Sequence, residues 1–130
     1  MTGQRIVRPP TAFSVASTKQ RRPREKNESH LSFIRSLKCC ICGAPGPDAA
    51  HLRAASVIHG KRETGGSEKP SDKWVVPLCR THHTQQHGMN ELRFWAMHNI
   101  EPFGLALSLY AHSGDDEICE SVLNAHRPPK

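Results

Sequence analysis

Two short cysteine-bearing runs, far apart in the chain, could do metal chemistry together. Cys39-Cys40-Ile41-Cys42-Gly43 holds a C-x2-C pair, and Cys79-Arg80-Thr81-His82 supplies a C-x2-H pair after 36 intervening residues. Two thiolates on one turn, followed at once by a glycine, suit a tight knuckle. A thiolate and an imidazole on a second turn complete four soft or borderline donors, the set that a tetrahedral structural Zn2+ takes. Cys40 could stand in for Cys39 and His83 for His82, but Cys39, Cys42, Cys79 and His82 give both pairs the same spacing. Cys40 and Cys119 fall outside that pairing and read as bystanders, the ordinary role of a reduced cysteine.

Histidine is the second concentrated reactive type, with five of the nine between positions 51 and 87. On a helix beginning near Arg80, His83 and His87 are i, i+4 neighbours on one face and can chelate one divalent cation. His82 projects about 100° away, which frees it for the zinc. His51 lies upstream in a short strand, beside Ala49, Ala50 and Leu52.

The elements that must hold these groups are short. Asn27 or Ser29 can cap a helix with Leu31, Phe33, Ile34 and Leu37 on its apolar side. A strand carries Ala49 to Arg53, and a loop rich in glycine runs from about Ser56 to Ser71. Lys73-Trp-Val-Val-Pro-Leu reads as a second strand. A helix follows from Arg80 to about His87, closed by Gly88 in the C′ role. Asn90 caps another through His98, presenting Leu92, Trp95 and Ala96 inward. Pro102 opens a further one, with Leu105, Ala106 and Leu109 inside.

Composition narrows the class. The chain of 130 residues carries 18 Lys+Arg against 12 Asp+Glu, five Cys and seven aromatics, with a mean hydropathy of -0.58. No apolar run approaches the roughly 20 residues of a membrane span, and no apolar segment follows the basic N-terminal residues as in a secretory signal. The expectation is a cytoplasmic protein with reduced cysteines, neither a membrane protein nor a disulfide scaffold. Residues 1–30 hold seven basic residues and two acids, whereas residues 113–130 hold four acids and two bases. The expected organisation is a basic, disordered arm over 1–28, a folded domain over 29–112 and an acidic flexible tail over 113–130. A fold of about 80 residues often needs a staple, and the zinc would supply it. A basic arm beside a mildly basic domain suits a polyanionic partner.

The order Cys39-x2-Cys42, Ala50-His51-Leu52, Gly65-Gly66, Val76-Pro77-Leu78-Cys79 and His82-His83-x3-His87 resembles the HNH, or ββα-metal, endonucleases, over roughly residues 36–90. The phage-type branch that includes a RecA-dependent nuclease is the most similar. The resemblance implies an α+β fold, a zinc-stapled ββα-metal core with flanking helices, and metal-dependent hydrolysis of DNA phosphodiesters. His51 matches the general base, and His83 and His87 match the ligands of a catalytic Mg2+ or Mn2+. Many members carry a further ligand directly before the base. Here that residue is Ala50, and Asp48 and Asp72 are the two candidates to replace it, neither fixed by the pattern. The Asn of the family name falls near Trp74. Arg53, Lys61, Arg62, Lys69, Lys73 and Arg80 read as contacts to the nucleic-acid backbone, which give affinity without sequence choice. A recombinase filament or another DNA-processing protein is the expected partner. Either a monomer or a homodimer is compatible, since Trp95, Phe103 and Leu109 could dock a second copy. The competing reading is a non-catalytic zinc-finger module that binds DNA or protein.

Overall fold

The computed structural model describes residues 26–64 and 70–128. The expected basic arm lies outside the described residues except for its last three positions, as do Gly65, Gly66 and Lys69 of the central loop. Among the described residues the chain forms α1 (Glu28–Arg35), β1 (Asp48–His51), β2 (Val75–Leu78), α2 (Arg80–His87), α3 (Glu91–Met97), α4 (Pro102–Ala111) and α5 (Asp116–His126). The fold is mixed α+β, with a two-stranded antiparallel sheet.

Most helices start on a side chain that occupies the orphan N–H groups of the first turn. Asn27 accepts from His30 N, Asn90 from Arg93 N, Glu101 from Phe103 and Gly104 N, and Asp115 from Ile118 N. The exception is α2, whose N-cap Cys79 makes no side-chain cap bond. Its sulfur is turned to a different use, described below. Gly88 ends α2 at φ -89° and not in the left-handed C′ conformation expected of it.

β1 and β2 pair with His51 opposite Val75 and Asp48 opposite Leu78. A hairpin this short is not stable alone. It is held because α1 packs on both strands, α4 packs on β2, and α2 crosses both. All four β2 residues are buried, which explains an unbroken apolar run where a half-exposed strand would alternate. The free edge of β2 is also used: Cys40 N donates to Pro77 O at 2.9 Å. Ile34, Leu52, Val75, Val76, Leu78, Phe94, Leu105 and Leu109 are wholly inaccessible to solvent. In α3 the expected inward set is corrected. Phe94 and Trp95 are buried, whereas Leu92 and Ala96 are exposed.

The acidic tail is also corrected. Residues 116–126 form α5, and Cys119 and Leu123, one turn apart, are both fully buried. The acids that suggested a solvated tail serve as the cap, Asp115, and the first turn, Asp116 and Glu117, where negative charge opposes the helix dipole favourably. Cys119 is therefore a core residue. Burial, reinforced by Asp115, Asp116 and Glu120, pushes its thiol pKa up. Just past the helix, Arg127 donates from Nε and Nη2 to Cys39 O at 3.2 and 2.9 Å, so the C-terminal helix closes onto the first cysteine knuckle. Leu123→Ala is expected to lower unfolding free energy by about 2–5 kcal/mol in urea titration. A loss under about 0.5 kcal/mol would mean that α5 is dispensable. No helix among the described residues is long and apolar enough to cross a membrane.

Candidate metal centre and histidine cleft

The knuckle is built by a tight turn. Gly43 N donates to Cys39 O at 2.9 Å and Ile41 N to Cys39 Sγ at 3.4 Å, while Gly43 itself takes φ +78°, a conformation that favours glycine. This turn delivers Cys39 and Cys42 to the first turn of α2, where Cys79 and His82 project. The distances are 3.8 Å for Cys42 Sγ to Cys79 Sγ, 3.8 Å for Cys39 Sγ to His82 Nδ1, and 3.2 Å for Cys79 Sγ to His82 Nδ1. All four donor atoms lie within 4.8 Å of one another. A tetrahedron of thiolates about 2.3 Å from zinc has edges of about 3.8 Å. The donor set and its dimensions fit a structural metal such as zinc. His82 is steadied by His98, whose ring meets it edge-on at 5.2 Å. Cys40, the alternative to Cys39, points into the core instead. Burial pushes its thiol pKa far up, which keeps it protonated and out of the cluster.

A second group forms between β1 and α2. His51 Nε2 lies 2.9 Å from Asp72 Oδ1, and the Asp72 side chain is almost fully buried. Asp72 Oδ2 accepts from Asn27 N at 2.8 Å, which ties it to the start of α1. Asp72, one of the two candidates for the missing metal ligand, pairs with His51. A carboxylate there holds the ring proton on Nε2 and leaves the basic lone pair on Nδ1.

On α2, the Nε2 atoms of His83 and His87 approach to 3.2 Å. Two nitrogens in cis positions on one cation at about 2.1–2.2 Å lie about 3.0–3.1 Å apart, so the pair suits one ion. Asp48 Oδ2 sits 2.9 Å from His83 Nδ1, and Arg80 holds the same carboxylate through Nε at 2.9 Å. Hydrogen bonding from His83, helped by Arg80, holds the Asp48 pKa below its usual range. Asp48 therefore orients His83 from behind, as a carboxylate behind a metal-bound imidazole does. His51 and His87 both line one cleft of about 470 Å³, together with Arg53, Glu63 and Gln86.

The residue that organises this cleft, Glu91, had no sequence signal beyond its position after a cap. Its Oε1 accepts from Arg53 N and Ala54 N, both at 3.0 Å, and its Oε2 accepts from Gln86 Nε2 at 3.0 Å and Trp95 Nε1 at 3.4 Å. One carboxylate thus joins the chain after β1 to α2 and α3.

The basic residues divide. Lys61 is corrected: it is 5% exposed, its Nζ donates to Arg62 O at 2.9 Å, and burial lowers its pKa. It braces its loop and does not face a polyanion. Lys73 lies 5.5 Å over the Trp74 ring, Arg62 is exposed, and Arg80 is exposed but paired with Asp48.

Fold and cluster together define a small α+β protein with a Cys3His centre able to hold a structural metal. The chain belongs to the family described as protein of unknown function, DUF968, whose profile matches residues 7–108. It is also 34% identical over 67 residues to the uncharacterized protein YdfU of Escherichia coli (strain K12). That match covers 52% of this chain but spans only 18% of the relative's length. No solved structure matches the chain.

Proposed function

We propose that the protein is an HNH-type endonuclease that hydrolyses DNA phosphodiester bonds with low sequence specificity. The observation that carries this reading is the single cleft lined by His51 and His87, with His51 oriented by a nearly buried carboxylate. A zinc finger whose role is binding alone has no need of such a base, nor of a second histidine pair beside its metal cluster.

In this reading His51 Nδ1 takes the proton of the attacking water, a task for which an imidazole has suitable basicity near neutral pH. Asp72 fixes the ring and stabilises the imidazolium that forms. His83 and His87 would hold the cation, and their nitrogen donors suit Mn2+ better than Mg2+, which prefers oxygen. The chemistry that a divalent cation supplies at such a site is charge stabilisation on the phosphate and the departing 3′ oxygen. Asp48 keeps His83 directed at the site, while the Cys3His cluster ties the knuckle to the start of α2 and so fixes the helix against the hairpin.

The test is supercoiled-plasmid nicking by folded, zinc-loaded protein with no added cation, with Mg2+ and with Mn2+, each with and without a recombinase filament. Nicking that requires a cation and is faster with Mn2+ is expected. No nicking under any of these conditions would overturn the enzyme reading and leave the binding module.

A further inference from the structure

The loop between the strands carries an apolar point that the fold does not use. Val57 and Ile58 are 94% and 92% exposed, neighbours at the apex of a turn. Single exposed apolar residues are ordinary, whereas two adjacent ones at near-complete exposure present an apolar point that a partner can cover. The turn is also braced. Ser56 and Lys61 form a bridge with hydrogen bonds of 2.9 Å in both directions, and Gly60 supplies the positive φ of +72° that closes it. His59 anchors it from below, with Nδ1 2.7 Å from Ser56 Oγ, Nε2 3.5 Å from Glu101 Oε1, and its ring stacked on Phe103.

We propose that Val57 and Ile58 form a wedge that enters duplex DNA between adjacent base pairs and unstacks them beside the bond to be cut. The proposal rests on the nuclease reading and specifies how that site engages its substrate. Three observations select DNA as the occupant. The wedge continues directly from the cleft wall, since Arg53, Ala54 and Ala55 line the same cleft as His51. Exposed Arg62 stands beside the turn as a cation for the phosphate backbone. The brace ties the turn to the N-terminus of α4, so little ordering is lost when the apolar tip is buried. Apolar side chains inserted between base steps kink the duplex and widen the contact with protein. Insertion is cheapest at pyrimidine–purine steps, which are the most deformable. The low specificity expected from backbone contacts therefore becomes a preference for cutting near TA and CA steps.

The experiment uses full-length, zinc-loaded protein without added Mg2+ or Mn2+, with short duplexes carrying 2-aminopurine at a central TA step or within an A-tract. Wild type is compared with Val57→Ser/Ile58→Ser and with Val57→Leu/Ile58→Met, which keeps an apolar tip. Both pairs of changes lie on the surface, and zinc content and melting temperature are checked for each. Wild type is expected to raise 2-aminopurine fluorescence at the TA step. The serine variant should lose that signal and bind about tenfold more weakly, with the apolar variant restoring both. Duplex binding without unstacking, or equal affinity in the serine variant, would overturn the wedge and leave the nuclease reading standing. No duplex binding by any of the proteins would overturn both. Concentration-dependent self-association that the serine variant abolishes, with DNA binding unchanged, would assign the tip to a second copy and also overturn the wedge.

Discussion

Cys79→Ser is expected to lower bound zinc from about one per chain to near zero and to abolish the cooperative thermal transition. The strands it supports are four residues each and depend on α1, α2 and α4 for cover. Cys79 is also the residue at which β2 hands over to α2, so its sulfur fixes the direction in which that helix leaves the sheet. Structural zinc contributes about 10–16 kcal/mol of apparent binding free energy in small domains, whereas a domain of this kind has a total stability of about 5–15 kcal/mol. Loss of the metal is therefore as large as the whole margin of such a domain. Removing zinc from wild type with a strong chelator should have the same result. Cys40→Ala is the control: it lies outside the cluster and should keep the metal while losing only packing energy. A protein that holds no zinc, or that melts cooperatively and unchanged after chelation, would sink the structural role.

What the sequence made legible follows from where local chemistry decides the outcome. Pair spacing placed Cys39, Cys42, Cys79 and His82 together, and the four donors do converge, because short-spaced ligand pairs dictate local turns almost alone. Caps and proline located the helices at Asn27, Asn90 and Pro102 for the same reason. Long-range placement was less visible. Asp72 stands out in sequence as a candidate metal ligand, not as a partner of His51. Only the register that sets His51 opposite Val75 brings the stretch before β2 beneath that ring. Glu91 is hidden likewise, because its four partners come from the chain after β1 and from α2 and α3. The acidic end misled because charge density in a short segment suggests solvation. One apolar pair at i, i+4, Cys119 and Leu123, together with Arg127 on the knuckle, is enough to seat it as a helix. Lys61 misled in the opposite way: a lysine among glycines looks exposed, yet it is buried, its ammonium 6.0 Å over the Trp74 ring and donating to a carbonyl of its own loop.

Under the nuclease reading, His51→Ala is expected to reduce cation-dependent nicking by about 10²–10⁴-fold, the usual contribution of a positioned general base. Zinc content should not move and melting should stay cooperative at a lower temperature, because nearly buried Asp72 loses its His51 partner but keeps the Asn27 N–H. Asp72→Asn separates positioning from packing. The amide is isosteric and can still accept the Asn27 N–H, so the start of α1 is retained. It can no longer act as a charged acceptor for the imidazole, and nicking should fall about 10–100-fold. Because Asp72 acts through His51, the double variant should be no slower than His51→Ala alone, the non-additivity expected of groups that work as a unit. Fully additive losses would show that Asp72 acts elsewhere, through α1 or the loop. Nicking by His51→Ala at the wild-type rate would remove His51 as the base and, with it, the observation on which the enzymatic reading stands.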